Sequence, residues 1–189
     1  MLIVALCVGY ALGCLSPGWL LVRRATGQDL RQTGSGGTGA TNAARVLGGR
    51  AFLLVMALDA LKAAAAVLLA RWLAPETPWH VLAMPAAVAG HIWPAPLRFK
   101  GGKGAAPLLG GAVALNPFFL VAAAIPAAIA AVFVRRTFVL TTAAAAGGIA
   151  SAAWLLPGTP ERVAFAATVG LVLLAHRSHF VRASGPAPS

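Results

Sequence analysis

Residues 51–73 read AFLLVMALDALKAAAAVLLARWL, and this stretch decides the fold class. At about 1.5 Å per residue, a helix over the stretch is about 35 Å long, which is enough to cross the roughly 30 Å hydrocarbon core of a bilayer. Only Asp59, Lys62 and Arg71 are charged within it. The stretch therefore predicts a transmembrane helix.

The rest of the chain is also rich in long apolar segments with few charges. Of its 189 residues, 59% are hydrophobic and 10% are charged, too few charges to cover a soluble domain of this size. Seven apolar segments are predicted: 2–22, 51–73, 79–94, 104–116, 117–134, 137–156 and 161–178. The fourth is short for a full crossing, and Asn116-Pro117 would make it a hairpin with the fifth. We predict one all-α integral membrane domain, residues 1–189, of about seven transmembrane helices.

The basic residues predict how this domain is oriented. With the N-terminus outside, alternation of the segments places most of them in inside loops, namely Arg23, Arg24, Arg31, Arg45, Arg50, Arg98, Lys100, Lys103, Arg135, Arg136, Arg177 and Arg182. The outside connections hold only Arg71 and Arg162. The positive-inside rule then predicts an outside N-terminus and a cytoplasmic C-terminus. It also accounts for the formal net charge of +11 without a nucleic-acid partner. A five-span chain without the hairpin would give the same sidedness.

The first inside segment rich in glycine, residues 33–45, reads TGSGGTGATNAAR. Glycines among small hydroxyl residues allow several backbone N–H groups to point at one anion, and Arg45 adds a guanidinium suited to a phosphate. The alternative is a flexible linker, but linkers seldom combine Thr, Asn and Arg with glycine. Gly34, Gly36 and Gly39 also match GxGxxG, but a membrane helix precedes them instead of a strand, which excludes a dinucleotide site.

The second segment, residues 90–104, ends in Lys100-Gly101-Gly102-Lys103-Gly104 and leads directly into an apolar segment. Glycine amides at a helix N-terminus, with two lysines nearby, are typical of a phosphate site. Membrane anchoring alone would explain the lysines but not the glycines. His91, at the end of a predicted helix, is expected to make a structural hydrogen bond.

Two further groups of polar residues stand out. His176 and His179 are one helical turn apart and share a face with Arg182, at the end of the last segment. A histidine there is suited to act as a base, or to anchor the helix at the interface. Asp59 and Lys62 are three residues apart within a span, where they form either a neutralising pair or a device that orients Arg45 or its loop.

Carboxylates are scarce, and this excludes several enzyme classes. The chain has four, and Glu76 and Glu161 are predicted on the outer side. No acidic cluster is left for Mg²⁺ or Zn²⁺, so metal-dependent CDP-alcohol phosphotransferases are excluded and no metal or other cofactor is expected. The HxxxxD signature of another acyltransferase class is also absent.

Together the three segments resemble the bacterial acyl-phosphate:glycerol-3-phosphate acyltransferase family (PlsY-type). Its first motif, GSGNxGATNxxR, corresponds to residues 34–45, GSGGTGATNAAR, with Gly37 in place of Asn. Its second motif leads from Gly-His to FKGGKG, as residues 90–104 do. Its third, HxxNIxRLxxGxE, is matched at His176 and Arg182, whereas His179 replaces its Asn and no Glu follows Arg182.

The resemblance implies that a bacterial enzyme of the cytoplasmic membrane transfers a fatty acyl group from acyl phosphate to the 1-hydroxyl of glycerol 3-phosphate. The products would be lysophosphatidic acid and phosphate, and the active site would face the cytoplasm, next to membrane lipids. No acyl-enzyme is expected, since Cys7 and Cys14 would lie on the wrong side or be buried. The oligomeric state stays open, a monomer included.

The same resemblance implies roles for the site residues. Those expected to take part in catalysis are His176, Ser35 and Lys103. Those expected to bind substrate are Gly34, Gly36, Thr41, Asn42, Arg45, Lys100, Gly101, Gly102, Gly104, His179 and Arg182. The alternatives are an anion or lipid transporter, which would show polar groups along the middle of several helices, and a diverged member with another acceptor or no activity.

Overall fold

The computed structural model describes residues 1–75, 78–122, 124–125, 147 and 158–183, and side chains of the last helix up to Arg177. This part of the chain is helical and contains no strand. Its α-helices are α1 Leu2–Gly13, α2 Pro17–Thr26, α3 Ala40–Leu47, α4 Gly49–Leu73, α5 Ala83–Ile92, α6 Ala105–Leu115 and α7 Thr159–Ala183. Short 3-10 turns cover Leu30–Gln32, Pro78–Leu82 and Ala95–Leu97. The predicted all-α class is confirmed.

Helix α4 matches the predicted span 51–73 closely. It has 25 residues and is long and apolar enough to cross a membrane. One side carries alanines packed inside the bundle, whereas Leu61 and Trp72 on the other side are 62% and 75% exposed. A helix that is apolar on its exposed side as well as on its buried side is typical of a membrane span. α4, which packs against α1, α3, α5 and α6, therefore has the length and composition of a membrane span.

The first predicted span, 2–22, is interrupted. α1 ends at Gly13 and α2 begins at Pro17, so the stretch Leu2–Thr26 contains a break although its length and composition suit a membrane span. Proline cannot donate the helical hydrogen bond, and it keeps the residue before it out of the helical region. Ser16 accordingly has φ −119° and ψ 79°. The break leaves backbone carbonyls, including that of Leu15, available to partners on other helices.

Small residues let the helices approach closely. Gly9 and Gly13 on α1 lie against the backbone of Ala83 and Ala87 on α5, so that a methyl group at either glycine would overlap the α5 backbone. Gly110 on α6 lies in the same way against α4. In lipid, where apolar burial gives little drive for association, such close backbone packing is a main source of helix–helix attraction.

The remaining spans agree with prediction to different degrees. α5 is shorter than the predicted 79–94, because residues 78–82 form a 3-10 turn before it. α6 agrees with 104–116 and is about 16 Å long, too short for a full crossing. The predicted turn at Asn116 is confirmed, since Asn116 ends α6 and its side chain accepts a hydrogen bond from the Phe118 N–H (3.0 Å). α7 covers 161–178 and continues to Ala183.

The predicted segments 117–134 and 137–156 lie mostly outside the described residues. The number of spans and the topology therefore stay predictions. Within the described part, α5, α6 and α7 share an apolar core that includes Val88, Ile92, Leu108 and Val172. This core lies directly beneath Gly104, where the second glycine-rich segment enters α6. It thus supports the region where the predicted site residues meet.

Candidate active site

The first glycine-rich segment is half loop and half helix. Residues 33–39, named here the first loop, precede α3, and Gly39 is the N-cap of that helix. The flexible-linker alternative for residues 33–45 is therefore wrong for the second half of the segment, because Thr41, Asn42 and Arg45 lie on α3. Alanine, asparagine and arginine after Gly39 continue as a helix because no further glycine interrupts them before Gly48.

Asn42 fixes the shape of the first loop. The residue is buried, and its Nδ2 lies within hydrogen-bond distance of the carbonyl oxygens of Leu30 (3.0 Å), Thr33 (3.0 Å) and Gly37 (2.8 Å). Its Oδ1 accepts from the Ser35 N–H (3.1 Å) and from Arg45 Nη1 (3.4 Å). Both ends of the amide are engaged within the protein. Asn42 therefore holds the loop and orients Arg45.

Gly34 has to be glycine in this arrangement. Its φ is +50°, and a methyl group on it would overlap Asn42 Oδ1 and press on the Arg45 side chain. Left-handed backbone is costly for other residue types. The exposed Ser35 follows directly and presents its hydroxyl at the surface of the loop. Thr41, one helical turn before Arg45 on α3, is half-buried.

The second loop, residues 98–104, folds back on the end of α5. The N–H groups of Gly101 and Gly102 donate to the carbonyls of Ile92 (3.1 Å) and His91 (3.0 Å). The His91 ring lies so close to Gly102 that a methyl group there would overlap it. Gly104, with φ +85°, then begins α6. The loop thus has a defined shape that ends at a helix N-terminus, as the sequence predicted.

The two loops, which the sequence predicted as separate segments, form one unit. The Thr38 N–H donates to the Gly101 carbonyl (3.2 Å), and Arg31 Nη1 donates to the Leu97 carbonyl (2.9 Å). Thr38 itself is 1% exposed. The contact places Gly37 beside Gly101.

Three of the predicted residues lie close enough beside these joined loops for their charges to act on one another, and we refer to them as the Arg45–Lys103–His176 group. Lys103 is half-buried, and its pKa lies below the ordinary value because burial disfavours the ammonium and Arg45 repels it. The Lys103 charge also acts on the His176 ring. Arg45 and Lys100, in contrast to Lys103, are exposed. A charged pair that repels itself would be stabilised by an anion between its members.

His176 is held in one orientation by α7. It is 3% exposed, and its Nδ1 lies 2.8 Å from the Val172 carbonyl oxygen. Because a carbonyl oxygen only accepts hydrogen bonds, Nδ1 carries the hydrogen of the ring. The lone pair of the neutral imidazole is then on Nε2. His176 therefore has the tautomer that a general base at Nε2 requires.

The other predicted residues of the third segment lie on the same helix. His179 and Arg182 follow His176 by three and six residues on α7, which continues to Ala183. Their side chains lie outside the described residues. Cys7 is exposed on α1, and Cys14 is half-buried just after that helix, so the expectation that they lie on the wrong side or are buried stays a prediction for Cys7.

A polar network next to the first loop was not predicted from the sequence. Asp29 accepts from Trp19 Nε1 (3.0 Å) and from Arg31 Nε (2.9 Å), and Arg31 in turn reaches Leu97. The Arg31 hydrogen bonds hold the pKa of Asp29 well below its usual range. The one available signal was that Asp29 is among only four carboxylates in the chain.

No cluster of three or more His, Cys, Asp or Glu side chains that could hold a metal ion occurs in the part of the chain that the structure describes. Two of the four carboxylates are engaged elsewhere. Asp29 pairs with Arg31, and Asp59 pairs with Lys62 within α4 (2.8 Å), which confirms the predicted intrahelical pair. Neither of these two carboxylates therefore neutralises the Arg45–Lys103–His176 group, whose side chains are two cations and an imidazole.

Comparison with known proteins gives a consistent result. The family described as "Glycerol-3-phosphate acyltransferase" matches residues 3–184. Glycerol-3-phosphate acyltransferase 1 of Desulfitobacterium hafniense is 40% identical over 171 residues, which are 90% of this chain and 84% of that protein. The Glycerol-3-phosphate acyltransferase of an Anaeromyxobacter strain is 36% identical over 188 residues, 95% of this chain and 91% of that one.

Solved structures agree. The crystal structure of PlsY (YgiH), an integral membrane glycerol 3-phosphate acyltransferase, in its glycerol 3-phosphate form has a TM-score of 0.85 at 27% identity, covering 96% of this chain and 90% of that chain. Its lysophosphatidic acid form has a TM-score of 0.82 at 25% identity, with the same coverage. None of these similar proteins is described as a transporter, so the transporter alternative finds no support in them.

Proposed function

This chain belongs to the glycerol-3-phosphate acyltransferase family of integral membrane enzymes, and we propose that acyl phosphate is its acyl donor. The reaction of the family is the acylation of glycerol 3-phosphate in phospholipid synthesis. With acyl phosphate as donor, the products are lysophosphatidic acid and inorganic phosphate. The observation that supports this best is the Arg45–Lys103–His176 group beside two joined glycine loops, because both substrates then carry a phosphate.

Lys103 is assigned to the acyl phosphate. It follows the Gly101–Gly102 backbone and precedes the N-terminus of α6, where amide groups and the helix dipole favour an anion. As the bond between the acyl carbon and the phosphate oxygen breaks, negative charge grows on the leaving phosphate. A half-buried ammonium at this point stabilises that charge more strongly than one in water. Gly101, Gly102 and Gly104 shape this part of the site, and the exposed Lys100 adds a weaker, more distant attraction.

Arg45 is assigned to the phosphate of glycerol 3-phosphate. Asn42 orients its guanidinium, which suits two-pronged binding of phosphate oxygens. The Gly34–Gly36 backbone, the Ser35 hydroxyl and Thr41 lie on the same loop and helix and complete the acceptor side. For Asn42, which the resemblance placed among the substrate-binding residues, we propose a positioning role, since its amide is engaged with the loop. His179 and Arg182 are assigned to the same substrate.

His176 is assigned to the hydroxyl that reacts. The 1-hydroxyl oxygen attacks the acyl carbonyl carbon, the bond to the phosphate oxygen breaks, and phosphate leaves with the electron pair of that bond. The hydroxyl proton passes to His176 Nε2, the ring nitrogen whose lone pair faces away from the Val172 carbonyl. The substrate's own phosphate is the other available acceptor of this proton. No acyl-enzyme forms, and no metal ion takes part.

We also propose a location for the reaction. The enzyme lies in the bacterial cytoplasmic membrane with its N-terminus outside, so that the basic loops face the cytoplasm. Lys103 and Arg45 then lie at the membrane surface, where soluble glycerol 3-phosphate meets a donor whose acyl chain remains in lipid. The exposed leucines of α4 face that lipid phase.

The test uses the purified chain in lipid with defined donors. We expect inorganic phosphate release from palmitoyl phosphate that depends on glycerol 3-phosphate and that persists in excess EDTA. We expect no lysophosphatidic acid from palmitoyl-coenzyme A under the same conditions. Product from the thioester alone would reject the donor assignment, and loss of activity in EDTA that Mg²⁺ restores would reject metal independence. Acylation of glycerol but not of glycerol 3-phosphate would indicate a changed acceptor.

A further inference from the structure

A second charged group lies inside the membrane bundle, and the reaction above does not use it. Asp59 and Lys62 on α4 and His91 on α5 are 2%, 6% and 3% exposed. Lys62 Nζ is 2.8 Å from Asp59 Oδ1 and 2.9 Å from His91 Nδ1, and His91 Nδ1 is 3.2 Å from Asp59 Oδ1. We refer to these residues as the buried cluster.

The buried cluster is charge-balanced and its ammonium is fully engaged. Lys62 has three N–H donors, and three acceptors surround it: Asp59 Oδ1, His91 Nδ1 and the Leu15 carbonyl at the break between α1 and α2. A neutral His91 accepts from Lys62 at Nδ1 when its hydrogen is on Nε2, and it donates from Nδ1 to Asp59 Oδ1 in the other tautomer. Asp59 and Lys62 neutralise each other, so a neutral His91 keeps the cluster uncharged overall.

Stability alone does not account for this cluster. Burying an ion pair has a desolvation cost that its attraction often fails to repay, and apolar residues of similar size are frequently as stabilising or more so. Ionisable residues within a membrane are costly and are usually retained for a function. The cluster lies within the bundle and fixes the position of one aromatic ring, that of His91.

The His91 ring and backbone contact the second loop. The His91 carbonyl accepts from the Gly102 N–H (3.0 Å), and the ring packs directly on Gly102. Gly101, held by the Ile92 carbonyl, accepts from Thr38 of the first loop (3.2 Å). The cluster thus fixes the position of the Gly101–Gly102 backbone relative to the end of α5. Lys103 is the next residue along the chain. Through Leu15 it also fixes the break that precedes α2.

We propose that Asp59, Lys62 and His91 are positioning residues that hold the second loop, and with it Lys103, in the geometry needed for acyl transfer. The inference rests on the proposed function of Lys103. It predicts that loss of the cluster lowers kcat and raises KM for acyl phosphate, while KM for glycerol 3-phosphate changes less. A purely structural role would change stability and leave these constants alone in any variant that folds.

The test replaces the cluster without leaving a buried charge unpaired. The double variant Asp59→Leu/Lys62→Met is purified in parallel with Leu61→Met, a substitution on the exposed side of α4. Thermal unfolding in detergent reports stability, and phosphate release reports kcat and both KM values. We expect the double variant to unfold within a few degrees of wild type and to lose at least tenfold in kcat, with Leu61→Met unchanged. Wild-type kcat and KM in the folded double variant would overturn the proposal.

A second variant keeps the test decisive if the double variant does not fold. His91→Asn places an acceptor oxygen close to where Nδ1 was, so Lys62 stays satisfied, but it removes the ring beneath Gly102. We expect a folded protein with reduced kcat; full activity would overturn the proposal, and so would failure of both variants to fold. Absence of activity in the wild type would instead reject the proposed function, so the two failures are distinguishable.

Discussion

The buried cluster of Asp59, Lys62 and His91 and the Arg45–Lys103–His176 group use similar residue types for opposite purposes. In the buried cluster a carboxylate balances the lysine, and three acceptors surround its ammonium. In the Arg45–Lys103–His176 group two cations repel each other beside glycine-rich backbone. The first group is charge-balanced without a ligand, whereas we propose that the second is stabilised by an anion. Charge balance, more than the presence of Lys or His, separates the two roles.

The largest expected effect, and so the strongest test of the difference between the two groups, is at Lys103. Lys103→Ala removes the cation beside the leaving phosphate, and loss of one such electrostatic contact lowers kcat by about 100- to 1000-fold. The matched control is Lys100→Ala, three residues earlier and exposed, for which we expect a change of less than about threefold because solvent screens its charge. Phosphate release measures both. Equal losses in the two variants would show that the loop needs only general positive charge.

Replacing a glycine tests the link between the two groups. A methyl group in Gly102→Ala overlaps the His91 ring, so the second loop must shift and we expect about a 10- to 100-fold loss of kcat/KM. Gly39→Ala is the control, since its φ is −82° and open space surrounds it. We expect that variant to keep most of its activity. A tolerated Gly102→Ala would contradict the close packing of His91 on the loop.

Arg45 should affect one substrate more than the other. A hydrogen bond to a charged group contributes about 1.5–3 kcal/mol, so Arg45→Ala should raise KM for glycerol 3-phosphate by about 10- to 100-fold. Arg50→Ala, at an exposed position near the start of α4, should have little effect. Steady-state kinetics with each substrate varied in turn make the measurement. An increase confined to the KM for acyl phosphate would reverse the assignment of the two phosphates.

The pH dependence sharpens the assignment of Lys103. Because its pKa lies below the ordinary lysine value of about 10.4, the ammonium is lost at lower pH than in an exposed lysine. The value of kcat/KM should therefore fall as pH rises, and the apparent pKa of this fall in the pH profile should lie below about 10.4. Lys103→Arg, which stays charged, should lack this fall whatever its residual activity. A fall that persists in that variant would belong to another group.

The smallest expected effect concerns the Asp29–Arg31 pair beneath the loops. Asp29→Asn weakens its hydrogen bonds to Arg31, each worth about 1 kcal/mol, and should lower Tm by roughly 2–4 °C at neutral pH. Since the folded pKa of Asp29 is depressed, its contribution is complete above about pH 4 and is lost as pH falls further. The Tm difference from wild type should therefore shrink at pH 3.5. A constant difference would exclude this ionisation as its source.

How much of the fold and the site could be predicted from the sequence depends on how far apart in the chain the interacting residues are. Apolar length predicts α4 and α6 well, because a membrane helix is set by its own residues. The break before Pro17 and the helical state of Asn42 were not predicted, although both have local signals. The proline was overlooked because the residues around it are apolar, and the helix was overlooked because glycines precede it. The sequence predicted a structural hydrogen bond for His91, and the structure confirms it with Lys62, 29 residues away.

Contacts between distant segments could not be predicted. Arg31 reaches Leu97 across 66 residues, and Thr38 meets Gly101 through backbone atoms that every residue possesses. Nothing in the residue types at these positions encodes such pairing. The sequence therefore predicted the two glycine segments as separate phosphate sites, and only the fold shows that the two loops are joined.

The most direct test asks which charged residues bind the anionic substrate. Glycerol 3-phosphate at about ten times its Kd should stabilise the folded wild type by roughly 1.4 kcal/mol, seen as a rise in Tm. The double variant Arg45→Ala/Lys103→Ala should lose this rise, and the equally charged control Arg50→Ala/Lys100→Ala should keep it. A rise that survives in the first double variant, or that disappears in the control, would contradict the assignment of the Arg45–Lys103–His176 group as the anion site.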